Sequence, residues 1–286
     1  LMWTTVLVSG ITLGSFYTLE ALGFALIFGV THTFNLAYGE LLVLAGYVAY
    51  WLWKTYGISL LLTFPAAIVV TLAVCLILQR LFSRLREPME MNSLVVSFGL
   101  AILLQNGMLF FFSGDYRMIR VPLLNQGFRF HGLYLSYGQF TLLALSLLVI
   151  ALTYLLMRHT YLGKGLRATI QDRESAALAG INVSGMGILA FAIGAVLIGL
   201  AGPLFGCIHY LYPTAGLQAT LIAITITIFA GVGRIRSLIL GGWILGFAES
   251  SAVVLLGASW RELMSALMLI TLLALRPHGI LGREEK

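Results

Sequence analysis

Two carboxylates pose the first chemical question. Glu20 and Glu249 both fall inside long apolar runs, and a charged carboxylate at the centre of a bilayer costs several kcal/mol. Such groups face a bundle interior or a water-filled path, or are held neutral. One reading makes them line or brace a translocation route. The other makes each a neutral group hydrogen-bonded to a neighbouring helix. Gln105 and Asn106, side by side in another apolar run, allow the same two readings, with structural hydrogen bonding the plainer. His32 and His209 stand near the ends of runs and read as interfacial side chains. Cys75 and Cys207 lie inside apolar runs, which argues against a disulfide framework and against a metal site. Covalent chemistry has no visible constellation. Gly163-Lys164-Gly165 lacks the glycine-rich loop and the Ser or Thr of a phosphate-binding loop, and neither H-E-x-x-H nor G-x-S-x-G occurs. Uphill movement of a solute would therefore draw on a gradient or on a partner ATPase.

One polar stretch stands apart from these runs. Tyr161 to Val183 reads YLGKGLRATIQDRESAALAGINV, with Lys164, Arg167, Asp172, Arg173 and Glu174 ahead of an alanine-rich turn closed by Gly180. The composition predicts a short helix with body Ser175 to Ala179, and acids at its start complement the positive end of the helix dipole. Ala176, Ala177 and Gly180 keep one surface small, which suits docking in a partner's groove. The bland alternative is a helix lying on lipid headgroups. Leu178 and Ile181 are its only large apolar residues, which argues against that.

The elements that must hold these residues are apolar. The chain has 286 residues, 60% hydrophobic and 10% charged, with mean hydropathy +0.98; a water-exposed domain carries about 25% charged residues. This is an integral membrane composition, and runs of helical length point to α-helices rather than a β-barrel. The net charge of +6 comes from loops between spans, so nucleic acid is set aside as a partner and lipid is expected. The apolar runs are 4–30, 36–53, 58–81, 92–112, 137–157, 185–208, 217–232, 238–256 and 263–275. The first is too long for a removed signal peptide and reads as a span. A span needs about 20 apolar residues, so 217–232 and 263–275 are short, and eight to ten transmembrane helices are expected, with nine the literal count. The segment 113–135, with Pro122 and several glycines, reads as an irregular or partly re-entrant loop. Gly10-xxx-Gly14, Gly202-xxx-Gly206 and Gly242-xxx-Gly246 permit close helix approach.

Loop charge sets the orientation. Alternating spans put Arg80, Arg84, Arg86, Arg158, Lys164, Arg167, Arg173, Arg234, Arg236, Arg276, Arg283 and Lys286 on one side and Lys54, Arg117, Arg120, Arg129 and Arg261 on the other. Twelve against five places the loop 158–184 and the C-terminal residues in the cytoplasm.

The residues at this point carry a resemblance. Glu174-Ser175-Ala176-Ala177-Leu178-Ala179-Gly180 resembles the EAA loop of ABC importer permeases. Asn35-Leu36-Ala37-Tyr38-Gly39-Glu40, the glycine-rich segment 231–242, and Ser259-Trp260-Arg261-Glu262 with Arg276-Pro277-His278-Gly279-Ile280-Leu281-Gly282 resemble the branched-chain amino acid permeases, the LivH-type half more than the LivM-type half. Tyr38 stands where that family usually has His, and Glu20 where an apolar residue is usual. The resemblance implies an all-α polytopic fold of the ABC importer type II-like permease kind, one transmembrane domain over 1–286, and a coupling helix in the cytoplasmic loop 158–184. It implies a second, LivM-like permease, two cytoplasmic ATPases that use the ATP, and a periplasmic binding protein, all at a bacterial inner membrane. No cofactor is expected on this chain. Asp172, Arg173, Glu174, Ala177 and Gly180 would contact the ATPase; Asn35, Tyr38, Gly39, Gln105, Asn106 and Glu249 would line the path. Branched-chain or related hydrophobic amino acids are the implied cargo, with urea, short amides or aromatic acids as alternatives within the family. A stand-alone secondary transporter or channel is the competing class, and a membrane-embedded enzyme the third.

Overall fold

A computed structural model describes residues 2–85, 88–121, 126–130, 133–231 and 234–275. Arg86, Glu87, Pro122, Val232, Gly233 and the motif residues 276–282 lie outside the described residues. All nine apolar runs contribute helices: α1 (Met2–Thr31), α2 (Tyr38–Tyr56), α3 (Leu60–Phe82), α4 (Met89–Phe112), α5 (Tyr137–His159), α8 (Val183–Ile208), α9 (Ala215–Ala230), α10 (Ile235–Leu256) and α11 (Arg261–Leu275). Two short helices, α6 (Tyr161–Gln171) and α7 (Arg173–Leu178), lie between α5 and α8. Six helices (α1, α3, α4, α5, α8 and α10) are long and apolar enough to cross a membrane, and α9 is apolar but shorter. The chain is thus a multi-pass membrane protein.

Two expectations are corrected. The segment 113–135 is not wholly irregular: β1 (Gly127–Phe130) and β2 (Leu133–Ser136) pair antiparallel, Gly127 opposite Ser136 and Phe130 opposite Leu133. Among the described residues the fold is therefore helical with one small two-stranded sheet. The polar stretch 161–183 carries two helices where one was expected. Its α6 begins on Thr160, whose hydroxyl accepts from Gly163 N–H at 3.0 Å, and turns Gly163, Leu166 and Thr169 inward.

The chain forms two compact units. The first comprises Leu1–Leu22, Arg120–Leu152 and Leu221–Lys286. Its seam is glycine against glycine. A Cβ on Gly246 would lie 2.5 Å from Gly10 O and Gly14 N, and one on Gly242 would meet Thr18 and Gly14. The two small-xxx-small motifs of α1 and α10 therefore face each other, which brings backbone against backbone. Trp243 Nε1 donates to Ser15 Oγ at 3.1 Å, and Ser250 Oγ donates to Val6 O at 3.2 Å.

The second unit comprises Gly23–Ile119 and Thr153–Thr220, built around α8 packed on α2 and α3. The same device recurs: Gly194 faces Ile27, Gly199 faces Ile68, and Gly202 faces Leu42, Ala45 and Gly46. Thr71 Oγ1 donates across to Ala195 O at 2.9 Å. Residues 113–119 join this unit through the antiparallel bridge Arg117–Leu211.

Packing this close leaves no room for a larger side chain. Gly246→Val should destabilise the protein by about 1–3 kcal/mol through overpacking. Gly99→Ala, which has open space around it, should be neutral or gain up to about 1 kcal/mol from helix propensity. Thermal unfolding of the detergent-purified variants checks both.

Candidate functional site

The stretch 161–183 closes its second helix with local bonds at both ends. Asp172 caps α7: its Oδ1 accepts from Glu174 N–H at 2.9 Å and from Ser175 N–H at 3.1 Å. Ser175 Oγ donates to Oδ2 at 2.5 Å. The Ser175 hydroxyl and the backbone N–H groups hold the Asp172 carboxyl below its usual range, since each bond favours the charged form. At the other end Ile181 N–H donates to Ala176 O and Gly180 N–H to Ala177 O, both at 3.0 Å. This is a Schellman closure, and it needs a residue in the left-handed region; Gly180 supplies it with φ +82°. Ala176 is turned inward, while Arg173, Glu174, Ala177 and Gly180 are exposed. The outward surface is not uniformly small, because Leu178 is 91% exposed and projects as an apolar knob. In the sequence Leu178 reads only as part of a weak apolar face. Arg173 also borders a cleft of about 160 Å³ with Thr31, Thr33, Gln79, Ser83 and Ser184.

The second set of residues surrounds the break between α1 and α2. Residues 32–37 are not helical, yet Thr33, Asn35 and Ala37 are buried and Phe34 and Leu36 half-buried, so their backbone groups need partners from elsewhere. Three hydroxyls supply them. Phe34 N–H donates to Ser93 Oγ at 3.0 Å. Leu36 N–H donates to Ser97 Oγ at 3.0 Å, and Ser97 Oγ reaches Phe34 O at 3.1 Å. Gly39 N–H donates to Thr220 Oγ1 at 2.8 Å, and Thr220 Oγ1 reaches Leu36 O at 3.2 Å. Each hydroxyl also has a carbonyl of its own helix in range: Glu90 O for Ser93, Leu94 O for Ser97 and Gly216 O for Thr220. Ser93 and Ser97 stand one turn apart on α4. That i, i+4 spacing was the signal that could have found them.

Asn35, Tyr38 and Gly39 are brought together here. Asn35 is 1% exposed, and its Oδ1 accepts from Ala37 N–H at 3.1 Å. Tyr38 is fully buried with its ring edge-on to Phe24. Its hydroxyl, Leu197 and Gly194 all meet Gly23, so the start of α2 is level with the middle of α8. Gly39 crosses Gly216 backbone to backbone, closer than any Cβ would allow. Glu40, also buried at 2% exposure, belongs to the same cluster and was passed over because it opens an apolar run.

Gln105 and Asn106 lie apart from that cluster. They sit toward the far end of α4 from Ser93 and Ser97, with Asn106 exposed and its Nδ2 donating to Ile102 O at 2.8 Å. Glu249 belongs to the first unit. Its Oε2 accepts from Tyr17 OH at 2.6 Å, and Glu20 and Arg261 are near enough to act on that group electrostatically. Among the described residues no group of three or more His, Cys, Asp or Glu side chains converges as a metal site.

The profile of the family described as "Branched-chain amino acid transport system / permease component" matches residues 6–273. The chain belongs to that family. The high-affinity branched-chain amino acid transport system permease protein BraD of Pseudomonas aeruginosa is 32% identical over 98% of this permease and 95% of its own length. The corresponding LivH of Escherichia coli is 30% identical over 97% and 94%. A probable LivH of Methanocaldococcus jannaschii is 27% identical over 98% and 93%. No solved structure matches the permease.

Two outcomes follow from this geometry. Ser97→Ala removes both bonds to the 34–36 backbone and should cost about 1–3 kcal/mol, the penalty of buried groups left unpaired; faster amide hydrogen exchange at Leu36 reads it. Ser175→Ala should raise the Asp172 pKa toward the ordinary carboxylate range, seen by carboxyl carbon NMR. The sign follows from the depressed value: the cap is at full strength above the ordinary range and is lost as pH falls through the folded pKa.

Proposed function

We propose that the chain is the membrane-embedded permease subunit of an ATP-driven importer for branched-chain or related hydrophobic amino acids in a bacterial inner membrane. Nine helices are embedded in this reading, α2, α9 and α11 joining the six long ones. A second, LivM-like permease completes the pathway as a heterodimer, a periplasmic protein delivers the cargo, and two cytoplasmic ATPases hydrolyse the ATP. The whole chain is one transmembrane domain, and its loop 158–184 is cytoplasmic.

The observation that carries the reading is α7. A six-residue helix capped at both ends, with charged shoulders and an exposed leucine, is shaped to enter a cleft on another protein. Asp172 and Gly180 fix its ends; Arg173, Glu174, Ala177 and Leu178 supply the contacts. Coupling requires that those contacts differ between two states of the importer. The cleft beside Arg173, whose walls include Thr31 and Thr33, links α7 to the break at 32–37. Asn35, Tyr38 and Gly39 there are the residues assigned to the path, with Gln105, Asn106 and Glu249 as further positions for it.

Glu174→Arg should abolish recovery of the ATPase with the tagged permease and reduce leucine uptake by proteoliposomes of the assembled importer to background. Wild-type retention of the ATPase by the Arg variant would remove the docking assignment. Uptake by the purified permease alone would instead make it a secondary transporter.

A further inference from the structure

The cluster at the start of α2 contains two polar atoms in need of partners. Asn35 Nδ2 and Glu40 Oε2 are both buried, and neither has a hydrogen-bond partner among the described residues. They do not satisfy one another. A buried amide donor and a buried carboxylate oxygen left open each cost free energy, and each such group in a folded protein calls for a reason. Their place suggests one. Glu40 Oε2 lies against the first turn of α9, where a Cβ on Gly216 would come within 2.5 Å of it. Asn35 lies just before the first turn of α2. Two helix N-termini, of 19 and 16 residues, thus meet at a depth level with the middle of α8. Each carries partial positive charge, while the N–H groups of Tyr38, Gly39 and Ala215 are bonded to Asn35 O, Thr220 Oγ1 and Tyr212 O. Interrupted helices that meet in this way at mid-membrane depth bind the charged groups of a substrate in transporters. Among the described residues no basic side chain pairs with Glu40; Lys54, the base on the same helix, is exposed in its last turn.

We propose that Asn35 and Glu40 form a recognition subsite for a zwitterionic α-amino acid, Glu40 taking the ammonium group and Asn35, with the α2 N-terminus, taking the carboxylate. This rests on the reading of the chain as an amino-acid permease. It assigns Glu40 a role in the path and gives Asn35 a specific partner atom. In the present conformation Gly39 and Gly216 are in contact, so the cargo enters when α2 and the first turn of α9 part. The Gly39–Thr220 bond is the contact that opens.

The test uses the assembled importer in nanodiscs without its binding protein. Binding of tritiated leucine is competed with isocaproate, which lacks the ammonium group, and with isoamylamine, which lacks the carboxylate. Wild type should favour leucine over either by at least about tenfold, the scale of one charge-assisted hydrogen bond. Glu40→Gln should collapse the preference over isocaproate and leave that over isoamylamine; Asn35→Ala should do the reverse. If Glu40→Gln does not assemble with the ATPase, Glu40→Asp carries the test, and it should bind leucine more weakly while still rejecting isocaproate. Unchanged discrimination in the variants overturns the subsite while leaving the permease reading intact. Failure of the complete wild-type importer to take up leucine removes the amino-acid reading and the subsite with it.

Discussion

Inside a lipid-facing protein, backbone that leaves the helix must still find partners for its N–H and C=O groups. The break between α1 and α2 meets this requirement with side chains. Three hydroxyls on two helices, Ser93 and Ser97 on α4 and Thr220 on α9, hold the backbone from Phe34 to Gly39. Irregular backbone at membrane depth is tolerated only where protein or a water-filled cavity satisfies it. The break gives α2 an N-terminus inside the protein instead of at its edge. Asn35, Tyr38, Gly39 and Glu40 owe their depth to it. A continuous helix through 32–37 would have used its own N–H groups internally and left no helix start at that place.

Small residues make that arrangement physically possible. Gly39 on Gly216, Gly23 beneath the Tyr38 hydroxyl, and Gly202 on Ala45 in the second unit, with Gly10 and Gly14 on Gly242 and Gly246 in the first, let helix backbones touch. Lipid tails are as apolar as leucine, so helix association here relies on such packing and on cross-helix hydrogen bonds. The bond from Thr71 to Ala195 O is one of these. The same closeness leaves little slack between the helices.

The apolar runs were enough to place every long helix, because spans of this length are set by bilayer thickness and few other structures satisfy the backbone there. The small-xxx-small pairs were likewise legible as seams, though not which pair meets which. The N-terminal acids and the closing glycine of α7 were readable because capping is local chemistry. Other features were hidden for physical reasons. The α6 helix has an apolar side made of Gly163, Leu166 and Thr169, too small and mixed to stand out beside its charges. The hairpin 127–136 offered only a few alternating residues. Ser93 and Ser97 look like ordinary helix serines until the break they serve is seen. Glu40 was masked by position: an acid at the first turn of a helix is commonplace in water and unusual only once that turn is buried.

A helix of six residues is far below the length at which helices persist in water on their own, because nucleation is unfavourable. α7 escapes this. The Asp172 carboxylate and the Ser175 hydroxyl close one end, and the left-handed Gly180 closes the other. Its shape is therefore complete before any encounter. A partner that receives it does not have to order it, so the loss of chain freedom that weakens docking by flexible segments is largely absent. A rigid peg also transmits displacement in both directions. On the proposed docking, a shift of the partner's cleft would become a shift of α6 and α8, to which α7 is joined at each end.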